Sequence, residues 1–563
     1  METRPEQSCQ MDSRLQQSHR KAKVSLTEAQ VDELRAYGTV HTTRAGDVLY
    51  EAGDTDYCLV VVLSGQTMTI DRSDGEDRIL TTSGPREFDG ELGLLTGQNV
   101  LTTCIVREPG EVLMVPQAEV QRAIAMNPEL GDILVTAFAA RRDLMMLKAA
   151  ATLTVIGPET SPSVQQLQEF NTRNRIPYRW LDTADPNARA ILRRFGTEDN
   201  GEAWVVVRGT KLLKNPSKLQ IARAVGLDLP VCDRGIADLV VIGAGPAGLS
   251  AAVYGASEGL STVVVDTIGI GGQAGSSSRI ENYLGFPTGI SGGDLAFLAE
   301  IQAVKFGARV TMPRQATSLD IGEGRITVGL DDDTELTGRS VIIATGARYR
   351  DLGLKDQDAF QGIGVYYAAT DLEARRCRGG DVVVVGGGNS AGQAAMFLSR
   401  SARTVYLVCR GPNLERSMSQ YLITRLQHRS NIQILTGCTV GEIRGGERLE
   451  AATIVSANGG THHVETCGMF VMIGADPGTA WLRGTLDLDD RGFIRTGSDI
   501  AGLDGHVTAP FQTNQPGVHA VGDVRSGSVK RVASAVGEGS VVVQSIHAYL
   551  ADLPSAEPIA STV

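Results

Sequence analysis

The spacing of apolar positions changes twice along the chain, and each change predicts a different kind of folded unit. Residues 40–115 alternate short β-rich runs with turns, as in GDVLYEAG, CLVVVLSGQTMTID, LTTCIV and EVLMV. This is the pattern of a small antiparallel roll with one face of each strand on a core. Before it, LTEAQVDEL has helical spacing, and Ser25 with Glu28 three residues on reads as a capping box. After it, AEVQRAIAMNPELGDILVTAFAARRDLMMLKAA reads as helix. Between 152 and 228 strand-like and helix-like runs alternate (TLTVIG, SVQQLQEFNTRN, YRWLD, ARAILRRF, AWVVV, LQIARAVGL), which predicts a compact α/β unit. From 237 onward the chain is Gly-rich and α/β. A strand–glycine turn–helix signature occurs there twice, at DLVVIGAGPAGLSAAVYGA and DVVVVGGGNSAGQAAMFLS. That is duplication of a functional unit, not a short-period array.

Composition narrows the class. At 563 residues the chain is long enough for three or four domains, and 65 glycines without a collagen period belong in turns and phosphate loops. A net charge of −12 argues against nucleic-acid binding and against a basic membrane surface. No apolar run is long enough for a transmembrane helix, and the polar leader METRPEQSCQMDSRLQQSHRKAK lacks a signal-peptide core, so a cytoplasmic protein is expected. The eight cysteines are scattered, which fits neither a disulfide framework nor a zinc site, and no metal is expected.

The first fingerprint is Gly243-Ala-Gly245-Pro-Ala-Gly248, between the strand Asp238–Ile242 and a helix beginning near Pro246. Its glycines allow a tight turn, close approach of a pyrophosphate and close helix–strand packing, and the helix N-terminus favours phosphate. The next strand, STVVVD, ends in Asp266, placed to accept hydrogen bonds from ribose hydroxyls. The second fingerprint is Gly386-Gly-Gly388-Asn389-Ser390-Ala391. Its following strand, TVYLV, ends in Cys409-Arg410 with no acidic residue. Arg410 and Arg416 suit a 2′-phosphate, which favours NADPH over NADH; the plainer alternative is two solvated arginines. Two dinucleotide sites in one chain suggest a flavoprotein reductase, one site for FAD and one for its hydride donor.

Further residues carry a family resemblance over roughly 235–552. Gly271-Gly272-Gln273, then Ile280-Glu-Asn282-Tyr-Leu-Gly-Phe-Pro287, resembles the flavin-contacting stretch of low-molecular-weight thioredoxin reductases. Ala344-Thr-Gly346 resembles their crossover into the NADPH domain. Gly517-Val-His-Ala-Val-Gly522-Asp523 resembles their second FAD motif, and Arg531-Val-Ala533 stands where the family often has Arg-Gln-Ala. The resemblance implies FAD and NADPH as cofactors, a homodimer, and FAD held in part by Asn282, Asp523, Arg531 and Ala533. It also implies an FAD domain at 235–350 and 475–555 enclosing an NADPH domain at 351–474.

One departure bears on the chemistry. The family's redox pair, Cys-Ala-Thr-Cys, matches Ala368-Ala-Thr-Asp371 here, and neither Ala368 nor Asp371 can form a mixed disulfide. Cys377, in Glu373-Ala-Arg-Arg-Cys377-Arg378, is a weak candidate for a single reactive thiol whose pKa the arginines lower. His462 and His463, in a turn-rich stretch, receive no role.

The segment 150–230 resembles a glutaredoxin- or thioredoxin-like domain, with Ser161-Pro162-Ser163 where the Cys-Pro motif would begin and no cysteine between Cys104 and Cys232. A spacer or docking role is expected. The roll, 20–148, resembles a cyclic-nucleotide-binding domain. Phe88-Asp-Gly90-Glu91-Leu92 looks like its phosphate-binding cassette, in which the Glu accepts a ribose 2′-hydroxyl. The run Thr96–Thr103 lacks the expected arginine, so weak or absent binding is anticipated. The functional expectation is an NADPH-dependent FAD oxidoreductase with a non-disulfide acceptor: a small electron-carrier protein, a quinone or oxygen. Disulfide reduction by an unusual thiol arrangement and a redox or nucleotide sensor remain as alternatives.

Overall fold

The structure is a computed structural model. It describes residues 15, 16, 18–72, 77–147, 152–198, 201–229, 235–277, 280, 282–322, 324–355, 357, 360, 363–367, 369, 371–500 and 509–553. The helix before the roll, α1 (Glu28–Arg35), is capped at Thr27 and not at Ser25. Thr27 Oγ1 accepts the Gln30 N–H at 3.2 Å, and Gln30 Oε1 accepts the Thr27 N–H at 3.0 Å, so the box runs Thr27-x-x-Gln30.

Eight strands follow as two four-stranded antiparallel sheets, β1-β8-β3-β6 and β2-β7-β4-β5. They are β1 (Thr39–Thr43), β2 (Val48–Tyr50), β3 (Cys58–Val62), β4 (Gln66–Asp71), β5 (Arg78–Ser83), β6 (Phe88–Asp89), β7 (Thr103–Glu108) and β8 (Gly110–Pro116). A short helix α2 (Gly93–Thr96) sits between β6 and β7. The long helical run divides at Asn127-Pro128 into α3 (Gln117–Met126) and α4 (Pro128–Leu147). A proline there starts a helix at no cost because its missing N–H would be unpaired.

The second unit contains β9 (Leu153–Ile156), α5 (Pro162–Arg173), β10 (Tyr178–Leu181), α6 (Pro186–Arg194), β11 (Trp204–Val207), β12 (Lys211–Lys214) and α7 (Lys218–Val225). Its sheet order is β10-β9-β11-β12, with β10 parallel to β9 and the other pairs antiparallel. Strand β12 escaped the sequence reading because its ends are lysines on an exposed edge. Ser161 stands just before α5, with Pro162 in the first turn.

The third unit is a seven-stranded sheet. It comprises β13 (Ala237–Ile242), β14 (Thr262–Val265), β15 (Arg309–Thr311), β16 (Ala316–Gly322), β17 (Arg325–Leu330) and β18 (Glu335–Ile343), with a last strand from near the C-terminus on β18. Helices α8 (Pro246–Ser257) and α9 (Gly292–Lys305) pack together on one face. A short ladder of β19 (Arg348–Tyr349) with a returning strand links this sheet to the inserted unit. The insert holds β20 (Val365–Tyr366), α10 (Asp371–Arg376), β21 (Val382–Val385), α11 (Asn389–Leu398), β22 (Val405–Cys409), α12 (Gln420–Gln427) and β23 (Ile432–Thr436). Then come the antiparallel layer β24 (Cys438–Gly445), β25 (Leu449–Ser456) and β26 (Thr461–Glu465), followed by β27 (Gly468–Val471). The order β20-β27-β21-β22-β23 is wholly parallel. His462 and His463 lie within β26 and not in a turn. The chain returns through β28 (Ala475–Asp476), the partner of β19, to β29 (Val518–Ala520) and a closing helix, α13 (Val532–Asp552).

The units share packing. One apolar cluster joins Leu94, Leu95 and Phe138 of the roll to Ala296, Phe297 and Ile301 of α9. Arg175 bonds Asp143 of α4 at 2.6 Å and Asp294 of α9 through its other nitrogen. At the same seam Glu300 is buried, which raises its carboxyl from the ordinary 4.5 to about 7 against the pull of Arg142 and Arg175. The folded state therefore holds a proton that the unfolded chain releases above 4.5, and stability falls as pH rises from 4.5 through 7. Glu300→Gln should melt like the parent at pH 4.5 and above it at pH 8, by on the order of 1–3 kcal/mol. Thermal unfolding at both pH values checks this; a variant less stable at pH 8 would refute it.

Candidate functional site

The first fingerprint lies at the C-terminal ends of the parallel strands β14, β13, β18 and β29, where open α/β sheets place ligands. At Gly243 φ is +108°, and a Cβ would stand 2.4 Å from the Ala344 carbonyl oxygen. A Cβ at Gly248 would fall 1.8 Å from the Gly243 oxygen. Only glycine fits either position. Gly245, the N-cap of α8, differs: a Cβ there meets nothing nearer than Gly272 Cα at 4.0 Å. The first turn of α8 thus faces an open cradle with free N–H groups, suited to a pyrophosphate.

Backbone bonds tie the cradle together. Gly271 N–H donates to Ala244 O at 2.8 Å, Ala344 N–H to Ile242 O at 2.8 Å, and Val521 N–H to Ile343 O at 3.0 Å. Asp266 braces the loops: its carboxylate accepts N–H bonds from Ala244 at 2.8 Å and from Ile268 and Gly269 at 2.9 Å. Its oxygens are partly committed to backbone, a role the sequence reading did not assign. The Gln273 amide donates to the Ala347 oxygen, joining the Gly271–Gln273 turn to the crossover. Gly346 adopts φ +66°, and Asn282 is exposed.

Gly522 and Asp523 follow β29, with Gly522 at φ +74° and its N–H on Glu538 Oε2 at 2.7 Å. Glu538, which the sequence reading missed, also ion-pairs Arg525 at 2.7 Å. It is one acid in a small-residue helix and gives no local signal. Burial pushes the Asp523 carboxyl up, opposed by Lys530. Arg531 is the N-cap of α13, and Ala533 lies exposed in its first turn.

The second fingerprint repeats the design between β21 and α11. Gly386 has φ +147°, and a Cβ would stand 2.3 Å from Met472 O. At Gly388, the N-cap of α11, a Cβ meets nothing nearer than Ser417 O at 3.7 Å. Asn389 Oδ1 accepts the Ser419 N–H at 2.8 Å, Ser390 is exposed and Ala391 is buried. Arg410 and Arg416 are both exposed beyond β22.

Ala368 lies outside the described residues, and Asp371 opens α10 on the surface. The expectation for Cys377 needs correcting. Its Sγ donates to Cys467 O at 3.3 Å, and Cys467 Sγ donates to Asp381 O at 3.2 Å. The hydrogen bond to Cys467, then burial, push the Cys377 thiol well up, outweighing Arg376. Arg376 is turned to Gln168 and Glu159 of neighbouring segments. Both cysteines are free thiols.

Comparison with known proteins agrees with this architecture. Residues 237–539 match the family described as pyridine nucleotide-disulphide oxidoreductase, and residues 40–127 match the cyclic nucleotide-binding domain. The chain is 33% identical over 327 residues to thioredoxin reductase from Streptomyces clavuligerus, covering 58% of this chain and 97% of that protein. It is likewise 33% identical to thioredoxin reductase from Mycolicibacterium smegmatis over 317 residues, covering 56% and 97%. Among solved structures, T. acidophilum thioredoxin reductase aligns at 31% identity and TM-score 0.51, covering 56% of this chain and 99% of that one. Lactococcus lactis thioredoxin reductase in its FR conformation aligns at 27% and TM-score 0.51, covering 56% and 100%.

A fold with two glycine cradles at parallel-strand ends, one inserted in the other, is that of a flavoprotein reductase, and the chain belongs to the pyridine nucleotide-disulphide oxidoreductases. More narrowly, it is a thioredoxin reductase-like, FAD-dependent NADPH oxidoreductase carrying an N-terminal cyclic nucleotide-binding domain. The open faces at Gly245 and Gly388 fit the two dinucleotides.

Gly245→Asp places a carboxylate in open space against the phosphates, so the fold should survive while FAD is lost. Gly248→Ala should unfold the turn itself. The ratio of 450 to 280 nm absorbance after desalting, with circular dichroism, checks both. Stoichiometric FAD in Gly245→Asp would move the site elsewhere.

Proposed function

We propose that this chain carries electrons from NADPH through FAD to a non-disulfide acceptor. The observation that carries the reading is the run Gly364–Asp371, which contains no cysteine. FAD, when bound, accepts a hydride from NADPH and passes the electrons on. The chain would supply position and charge: the first turns of α8 and α11 would hold the pyrophosphates, and Asp523 would contact the flavin's ribityl chain, as the family resemblance implies. Arg410 and Arg416, both exposed beyond β22, would hold the 2′-phosphate.

The alternative thiol route is disfavoured by placement. Cys377 and Cys467 stand by the N-terminal ends of β21 and β27, whereas the Gly386 cradle opens at their C-terminal ends. At ~3.3 Å per residue, a four-residue strand separates them by roughly 13 Å. Cys377 is also only 2% exposed, closed to a protein disulfide. The acceptor is then a small redox protein, a quinone or oxygen, and the working form is a homodimer. Among the described residues no helix is long and apolar enough to cross a membrane.

NADPH should reduce the flavin faster than NADH in stopped flow, and Arg410→Ala should weaken NADPH about tenfold. Equal rates in the parent would sink the assignment. Steady-state NADPH oxidation across an acceptor panel tests the rest: thioredoxin and small aromatic disulfides should be poor substrates, and Cys377→Ser should leave flavin reduction intact. Fast disulfide turnover abolished by Cys377→Ser would establish the thiol route instead. Slow turnover with every acceptor would favour a sensor.

A further inference from the structure

The cassette-like run Phe88–Thr103 contains no basic residue, yet two guanidinium groups reach it from elsewhere in the chain. Arg142, on α4, is 3% exposed and brings Nη2 to 3.7 Å from Glu91 Oε2. Arg208 comes from the second unit, in the turn after β11. Its Nη1 lies over Gly53, 3.1 Å from where a Cβ would stand. Gly53 N–H donates to Val100 O at 2.8 Å, and Val100 N–H to Asp54 O at 3.0 Å, so Arg208 covers the loop bonded to the cassette run. Glu91 and Asp54 are the acids whose charge it feels. The second unit also seats its α7 cap there: a Cβ on Gly226 would stand 2.5 Å from Asn99 N.

What distinguishes this cluster is what it leaves unmade. Nε and Nη2 of Arg142, Nε and Nη2 of Arg208, Oε2 of Glu91 and the Tyr57 hydroxyl are all buried without a hydrogen-bond partner among the described residues. Neighbouring Arg141 spends its donors on the Ala22, Gly90 and Phe88 carbonyls and is plainly structural. Glu91 Oε1 is held by the Leu101 N–H, which aims the carboxylate and leaves Oε2 over. Arg142 Nη2 and Glu91 Oε2 face each other as an ion pair just beyond hydrogen-bond reach, and the guanidinium nitrogens left over on Arg142 and Arg208 are buried donors that an anion between them would satisfy.

We propose that Glu91, Arg142, Arg208 and Tyr57 form an interdomain anion site for a phosphate-bearing ligand. The two guanidinium forks receive the phosphate oxygens, and Glu91 Oε2 accepts a hydroxyl of the same molecule. Arg208 supplies from the second unit the cation that the cassette lacks, so the ligand bridges the roll to the thioredoxin-like unit. Helix α9 packs on α2, and its Glu300 interacts with Arg142, which brings the FAD-binding unit to the same cluster. The small α/β unit, without cysteines, thereby gains a function as the donor of one arginine.

Calorimetry on the full-length flavoprotein tests this, with cyclic AMP, cyclic GMP and inorganic phosphate as separate arms. At least one arm should bind tighter than about 100 μM, and Arg208→Gln should weaken that arm at least tenfold while flavin content and melting temperature hold. Should Arg208→Gln fail to retain flavin, Arg208→Lys keeps the charge but loses the fork, and at least a threefold loss is expected. Binding by inorganic phosphate alone, with the same Arg208 dependence, supports the site and assigns it to free phosphate. No heat in any arm, or binding indifferent to Arg208, overturns the proposal.

Discussion

The contact on which the third unit depends is the approach of the Gly243 backbone to the Ala344 carbonyl. Parallel pairing of β13 with β18 brings together two segments about a hundred residues apart, and only a residue without a side chain allows the turn between them. From that contact the rest of the cradle follows. Gly271 bonds onto Ala244, Val521 onto Ile343, and Gly522 lies so near Ala247 that a Cβ would stand 2.9 Å from its methyl group. A substitution at Gly243 therefore acts through the fold first and the cofactor second, whereas Gly245 separates the two.

The N-terminal units are bound into the same body by charge and apolar packing together. Phe297 of α9 lies under the Arg175 guanidinium, 4.0 Å from ring centroid to Cζ, while that arginine bonds acids of two different units. Guanidinium suits this because its planar fork can stack on a ring and reach two carboxylates at once. Such a seam transmits displacement better than a flexible linker, since its partners move together or lose several bonds at once. Glu300 sets a limit on that seam: its burial makes the ionised form unfavourable, so the interface is tightest when this carboxyl keeps its proton.

What was legible in the sequence was local. The two glycine fingerprints could be read because strand, turn and helix are adjacent in the chain and each glycine answers a nearby steric demand. The helix start shifted from Ser25 to Thr27 because both residues satisfy the same pattern, and only the Gln30 side chain decides between them. The histidines of β26 were misplaced because an exposed strand of a three-stranded layer carries polar residues that look like a turn. The Cys377–Cys467 contact spans 90 residues and Arg208 reaches the cassette from another unit; no periodicity encodes either. The cassette run Phe88–Thr103 carries no arginine, and a cation that approaches it from another unit leaves no mark on the run itself.

The two fingerprints also show how one scaffold can separate two related cofactors. Their glycines do the same steric work: Gly243 and Gly386 face a carbonyl across the turn, and Gly245 and Gly388 stay open. The difference lies one strand further on. After β14 comes Asp266, an acid anchored by three backbone N–H groups and set beside the first cradle. Strand β22 ends in buried Cys409, whose Sγ would stand 2.7 Å from a Cβ on Gly387, and exposed Arg410 follows. A small neutral side chain fills the place of the acid, so no fixed negative charge would oppose a phosphate there, and the proposed role of the adjacent arginine is to attract one. On the proposed reading, cofactor choice in each half would come from the residue at the end of its second strand, while the glycine turn, common to both, would set only that a dinucleotide can enter.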